Sequence, residues 1–262
     1  MMVYVERAGR GPDLVMVHGW GMNGAVFDAV GRELAQHFRV HILDLPGYGL
    51  SAEPATTLDG LLDGLLSVLP QRSHLLGWSL GGMLAILLAA RHPHRVQSLL
   101  TVASSPRFVA EPEWPGTRLE VLSQFATQLA RDSHKTVDRF LAIQAMGSPT
   151  AREDVRHLRE SVLSRPEPHP EALRLGLTLL AELDLRPELR ALTVPALHLF
   201  GRLDALVPAE VIERWPASQA LQQTHLFATS SHAPFMTESN QFVRIVLKFV
   251  EAQETISLSS GG

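Results

Sequence analysis

The chain contains no cysteine, which excludes disulfide bonds, thiolate metal centres and a cysteine nucleophile together. Positive charge is not in excess: 23 Lys and Arg stand against 27 Asp and Glu, giving a net charge of −4. No global basic field therefore directs the protein to nucleic acid. Long apolar runs are also missing. The most apolar stretch, residues 80–90, falls well short of the ~20 residues that span a bilayer. The opening "MMVYVERAGRGPD" lacks the basic-then-apolar order of a secretory signal. No H-E-x-x-H occurs, and "GRGPD" is not followed by the Lys-Ser/Thr of a phosphate loop, so zinc-protease and nucleotide readings fall away. These absences lead us to expect a cytoplasmic protein with no membrane or nucleic-acid partner and no metal.

What remains is 262 residues, 45% hydrophobic and 19% charged, enough for one α/β domain carrying an insertion. Short apolar runs at 13–18, 40–45, 74–78, 96–103, 195–201 and 224–228 read as strands buried on both faces. Between them lie helical patterns, such as leucines at 58, 61, 62, 65, 66 and 69, and the alternation predicts a mostly parallel, doubly wound sheet. Between about Val109 and Arg186 the strands stop and only helical patterns continue. We expect residues 1–108 and 187–253 to form the core and 109–186 an inserted helical lid. The tail 254–262, ending in "SLSSGG", is expected to be disordered.

The segment "LLGWSLGGMLAILLAA" sets a serine between two glycines, after a strand pattern and before an apolar helix. Gly77-Trp78-Ser79-Leu80-Gly81 fits the G-x-S-x-G nucleophile elbow, a tight turn that holds the hydroxyl above the end of a parallel sheet. A serine hydroxyl needs a base and a group that orients the base. In this architecture the chain order is Ser, then Asp or Glu, then His. Asp204 in "LFGRLDALVP" and His232 in "LFATSSHAPF" each follow a strand pattern and supply that order. Asp44 in "LDLPGYGLS" is the rival acid, although its Pro-Gly-x-Gly setting reads better as a turn. His198 and His225, inside strand patterns, read as packed or edge residues. An oxyanion formed at the elbow needs backbone N–H donors. Leu80 supplies one, and Trp20 in "VHGWGMN", an H-G-x-G loop, supplies the other.

The stretches "VHGWGMN", "DLPGYGLS", "LGWSLGG", "TVASSPRF", "EWPG", "DRFLAIQAMG", "GRLDALVP" and "SSHAPF" resemble those of the α/β-hydrolases. More closely, they resemble the BioH family of pimeloyl-[acyl-carrier protein] methyl ester esterases. The likeness runs through nearly the whole chain, and "RFLAIQAMG" and "VASSPRF…EWPG" are its most particular parts. It implies an α/β-hydrolase fold, a catalytic triad of Ser79, Asp204 and His232, and an oxyanion hole at Trp20 and Leu80. It also implies substrate contacts from Trp20, Ser79, Leu80, Phe140, Leu141, Ala142, Ile143, Gln144 and His232, the 140–144 segment lining an acyl channel. The implied reaction is cleavage of the methyl ester on a C7 acyl chain borne by acyl carrier protein, in biotin biosynthesis, without a cofactor.

Acyl carrier proteins are acidic, so a local basic face would favour docking. Lys135 and Arg139 share one helix face, and Arg152, Arg156 and Arg159 share the next; residues 131–165 sum to +2. Ion pairing along solvated helices is the alternative account of the same charges. The residues alone also leave open a general short-chain carboxylesterase, a carbon–carbon bond hydrolase, and a ligand receptor that retains the triad. Haloalkane and epoxide hydrolysis are disfavoured, because those relatives carry Asp where Ser79 stands. A monomer is expected.

Overall fold

In the computed structural model, residues 2–215 and 221–260 are described, the last five as backbone alone. Among them, seven strands build one sheet: β1 (Val5–Ala8), β2 (Asp13–Val17), β3 (Arg39–Leu43), β4 (Ser73–Trp78), β5 (Val96–Val102), β6 (Ala196–Gly201) and β7 (Gln222–Phe227). The order is β1-β3-β2-β4-β5-β6-β7. All neighbours run parallel except β1, which pairs antiparallel with β3, Val5 opposite Leu43. This is the α/β-hydrolase architecture. The six apolar runs are all strands, within two residues at either end. β1 was not expected, because "VERA" is short, mostly exposed and offers no apolar run. β7 differs in burial: its middle residues lie at the open edge of the sheet, so only one side is covered.

Helices α1 (Asp28–Leu34), α2 (Leu58–Val68) and α3 (Leu80–Arg91) connect the first strands. Thr57 caps α2 by accepting from the Gly60 N–H at 3.1 Å, which satisfies one of the donors left free at a helix start. α3 is buried along almost its whole length, as an apolar helix behind a central strand must be. After β2 the chain turns to one side to make β3, and β4 then returns to the other side of β2. The carboxyl ends of β2 and β4 therefore flank a topological switch point, where open α/β sheets place their sites.

Between β5 and β6 the chain inserts α4 (Leu119–Leu129), α5 (Ser133–Gln144), α6 (Ala151–Leu163) and α7 (Pro170–Glu182), then the short α8 (Arg186–Arg190). The insertion is fastened by long-range bonds. The Asn23 side-chain amide donates to the Ser161 and Val162 carbonyls at 3.0 and 3.2 Å, occupying acceptors exposed at the end of α6. Tyr48 Oη donates to Ala172 O at 3.0 Å, and Trp20 Nε1 to Leu173 O at 2.8 Å, both on α7.

The chain closes with α9 (Pro234–Thr237) and α10 (Ser239–Ser260). The expectation of a disordered tail from 254 is corrected: α10 continues through Ser260. Glu254 Oε1 accepts from Gln97 Nε2 and contacts His74 Nε2 at 2.8 Å, tying the helix to the sheet at that point. Gly261 and Gly262 lie outside the described residues. Among those described, no helix is long and apolar enough to cross a membrane.

Candidate active site

Ser79 sits between β4 and α3 with φ 54° and ψ −119°, a left-handed conformation costing a non-glycine residue about 1–3 kcal/mol. The turn is too tight for side chains on either flank. A Cβ at Gly77 would lie 2.2 Å from Gly81 O, and one at Gly81 would lie 2.3 Å from Val17 O. The strain is held in place by Ser104, whose hydroxyl donates to Ser79 O at 2.8 Å, and by Ser79 N–H bonding to Val102 O at 2.9 Å.

Asp204 follows β6 and His232 follows β7, so both arrive at the same sheet edge as Ser79. Asp204 uses its two oxygens differently. Oδ1 accepts from the Leu206 and Val207 N–H groups at 2.8 and 3.0 Å, locking the carboxylate to its own loop. Oδ2 meets His232 Nδ1 at 2.8 Å. An ionised carboxylate only accepts, so Nδ1 carries the proton and Nε2 presents its lone pair. Both His232 Nε2 and Ser79 Oγ are buried without a hydrogen-bond partner.

Asp44, the rival acid, does something else. Fully buried, it accepts from Gly24 N at 2.6 Å and Leu50 N at 2.7 Å and pairs with Arg165 Nη1 at 2.9 Å. Arg165 also reaches Glu6 at 2.8 Å. Asp44 thus braces the connector after α6 to the core, and it makes no bond to His232.

Leu80 opens α3, so its N–H has no partner within the helix and lies at the positive end of the helix dipole. Gly19 brings the other loop close: a Cβ there would stand 3.1 Å from the Ser79 Cβ. That loop turns at Gly21, φ 73°, with Met22 N–H bonded back to Gly19 O at 3.4 Å. His18 braces it. Its Nε2 accepts from Leu45 N–H at 3.0 Å, so Nδ1 is the protonated nitrogen and donates to Gly19 O at 2.8 Å. Burial pushes the His18 pKa down to about 4, which keeps this ring neutral.

The chain's α/β-hydrolase fold is matched by a family model over residues 12–239. The pimeloyl-[acyl-carrier protein] methyl ester esterase of Vibrio cholerae serotype O1 is 49% identical over 250 residues, 95% of this chain and 98% of that protein. The enzyme of the same name from Aeromonas hydrophila is 50% identical over 257 residues, 95% of this chain and all of its own. The chain belongs to this family of esterases. Among solved structures, the esterase EaEST of Exiguobacterium antarcticum superposes with a TM-score of 0.84 at 23% identity, covering 95% of each chain. A bromoperoxidase from Bacillus anthracis gives 0.84 at 20% identity, also covering 95% of each. These two likenesses concern the fold alone.

The proposed acyl-channel segment divides once folded. Phe140 is buried, its ring 4.8 Å from Trp20 and 5.5 Å from Phe125. Leu141 is buried and lines a small recess of about 30 Å³ between α5 and α6, which Val137, Val162 and Leu173 share. Gln144 is buried with its side-chain Nε2 unpartnered, and its carbonyl accepts the His232 N–H at 3.2 Å. Ala142 is exposed, because the helical turn that buries Phe140, Leu141 and Gln144 points position 142 outward. Ile143 is half-buried.

The basic side chains of α5 and α6 are largely engaged locally. Lys135 meets Asp132 at 3.3 Å, Arg156 meets Glu160 at 3.8 Å, and Arg159 meets Asp138 at 3.0 Å. Arg139 donates to Gln128 at 3.2 Å and lies 5.4 Å above the Phe125 ring. Arg152 is exposed. Sequence reasoning did not single out Ser104, Asn23 or Arg165, because the partners of each lie far along the chain.

Proposed function

We propose that the chain hydrolyses the methyl ester of pimeloyl-[acyl-carrier protein], releasing methanol and the free ω-carboxylate, as a step of biotin biosynthesis. Ser79 Oγ attacks the ester carbonyl carbon while His232 Nε2 takes its proton, and Asp204 stabilises the imidazolium. The N–H groups of Trp20 and Leu80 receive the oxyanion. Collapse expels methoxide, which takes the proton from His232 and leaves as methanol. Water, deprotonated by His232, then attacks the acyl-enzyme, and the acid departs as Ser79 regains its proton. The observation that carries the reading is the Asp204–His232 bond of 2.8 Å, which fixes the imidazole tautomer with Nε2 unpartnered. Half-identity to esterases named for this substrate supports the substrate class.

In the same reading, residues 109–186 act as a lid. Ser79 is only 2% exposed and Trp20 and Phe140 1% each, so substrate enters after the helices shift. Phe140, Leu141 and Gln144 then face the acyl chain. Lys135, Arg139, Arg152, Arg156 and Arg159 steer the acidic carrier, exchanging their local partners for its carboxylates. The deciding experiment is mass spectrometry of the carrier-bound methyl ester after incubation with the wild-type protein and with Ser79→Ala. Loss of one methyl with the first and none with the second is expected. Turnover of p-nitrophenyl esters with no demethylation of the carrier-bound ester would reduce the protein to a general esterase.

A further inference from the structure

We infer that Trp78 is a positioning residue, its indole N–H holding the general base in register with the nucleophile. This rests on the acyl-enzyme reading of Ser79 and His232. Trp78 is the residue before Ser79 and is fully buried. Its Nε1 donates to the His232 carbonyl at 2.7 Å across 154 residues of chain. That separation is at the short end for N–H···O bonds. The ring lies 5.7 Å from the His232 imidazole and 5.1 Å, edge-on, from Phe235 on α9, so the indole cannot swing away without disturbing the histidine loop.

His232 is restrained at three points. Asp204 orients the ring. The backbone N–H is bonded to Gln144 O at 3.2 Å, and the backbone carbonyl to Trp78. The first backbone bond comes from α5, which belongs to the insertion covering Ser79. Access to the buried serine requires that insertion to move, and movement of α5 carries the Gln144 carbonyl with it. The Trp78 bond lies wholly within the core. It links the histidine loop to the residue covalently joined to Ser79, so it survives opening and keeps the two reacting groups at a constant separation. Catalysis is steep in such geometry, with an ångström of misplacement costing about a hundredfold.

The test replaces Trp78 site-specifically with benzothienylalanine, which keeps the ring shape and substitutes sulfur for the N–H, alongside Trp78→Phe. Trp114→Phe is the matched control, since Trp114 Nε1 also donates to a backbone carbonyl, Arg107 O, at 2.7 Å. Readouts are kcat and KM on a small methyl ester and the low-field proton resonance of His232 Nδ1–H. For the benzothienyl protein we expect kcat about tenfold lower, as for one lost buried hydrogen bond. KM should stay within about twofold, with the low-field resonance broadened. The control should leave kcat and the resonance as in wild type. Wild-type kcat and resonance in the benzothienyl protein would overturn the inference, as would an equal kcat loss in Trp114→Phe. Activity retained in Ser79→Ala would instead remove the underlying reading.

Discussion

Replacing Gly176 with alanine sets two well-defined effects against each other. Gly176 lies within α7, and helix propensity alone favours the substitution by about 1 kcal/mol. The structure opposes it. A Cβ at 176 would sit 2.5 Å from Trp20 Cδ1 and 3.1 Å from both Leu80 Cδ2 and Tyr48 Oη. None of these can easily retreat. Trp20 is bonded through its indole to Leu173 O and packed against Phe140, while Tyr48 is bonded to Ala172 O. Both partners belong to α7 itself, so helix and rings must shift together. Overpacking of this kind costs about 1–3 kcal/mol, leaving a net destabilisation of about 1 kcal/mol. In a chain of this size that lowers Tm by about 2–4 °C. Trp20 also carries a proposed oxyanion donor, so moving it should lower kcat on a small ester by about tenfold with little change in KM. Differential scanning fluorimetry and initial-rate kinetics read both quantities. A Gly176→Ala protein with raised Tm and unchanged kcat would show that α7 does not press on Trp20 in the working protein.

Asp204→Asn should lower kcat by about 10⁴ through the wrong imidazole tautomer, with Tm nearly unchanged, whereas Asp44→Asn should lower Tm and keep most activity; the reverse ranking by kinetics would move the acid to Asp44. Arg139→Glu combined with Arg156→Glu should raise KM for the carrier-bound ester by an amount that shrinks with added salt, while a small free ester is unaffected; equal losses on both would indicate only a damaged insertion. Burial pushes the His198 pKa down to about 4, and the ring stays neutral between Thr101 and Gln222. Its contribution is therefore complete above the unfolded value near 6.5 and is lost as pH falls toward 4, by up to about 3 kcal/mol. Urea unfolding of His198→Gln should show a shallower loss of stability across pH 6.5 to 4.5 than wild type, and an identical slope would refute this.

Much of the candidate site was readable along the chain because its signals are local. The elbow is five consecutive residues whose glycines answer a local steric demand. Asp204 and His232 each sit just past an apolar run, and strand alternation alone puts both runs' ends at one edge of a parallel sheet. The 140–144 segment was readable only as a block. Helical rotation buries Phe140, Leu141 and Gln144 and exposes Ala142, and that phase depends on where α5 rests against the core. The same limit hid β1, whose four residues, two of them charged, become a strand only because β3 offers an unpaired edge. It also hid the helical end of α10, which includes Glu254 with its bonds to His74 and Gln97.

The sequence by itself therefore determined the parallel core and the G-x-S-x-G turn at its centre, since each is carried by residue type and short-range periodicity. Tertiary structure decided which carboxylate serves His232. Asp204 and Asp44 both follow strands, and only packing gives one an imidazole and the other the Arg165 guanidinium. It likewise decided that Trp78, one residue from the nucleophile, bonds to a histidine loop 154 residues away. Hydrogen bonds of that range depend on three-dimensional proximity, which no local pattern encodes.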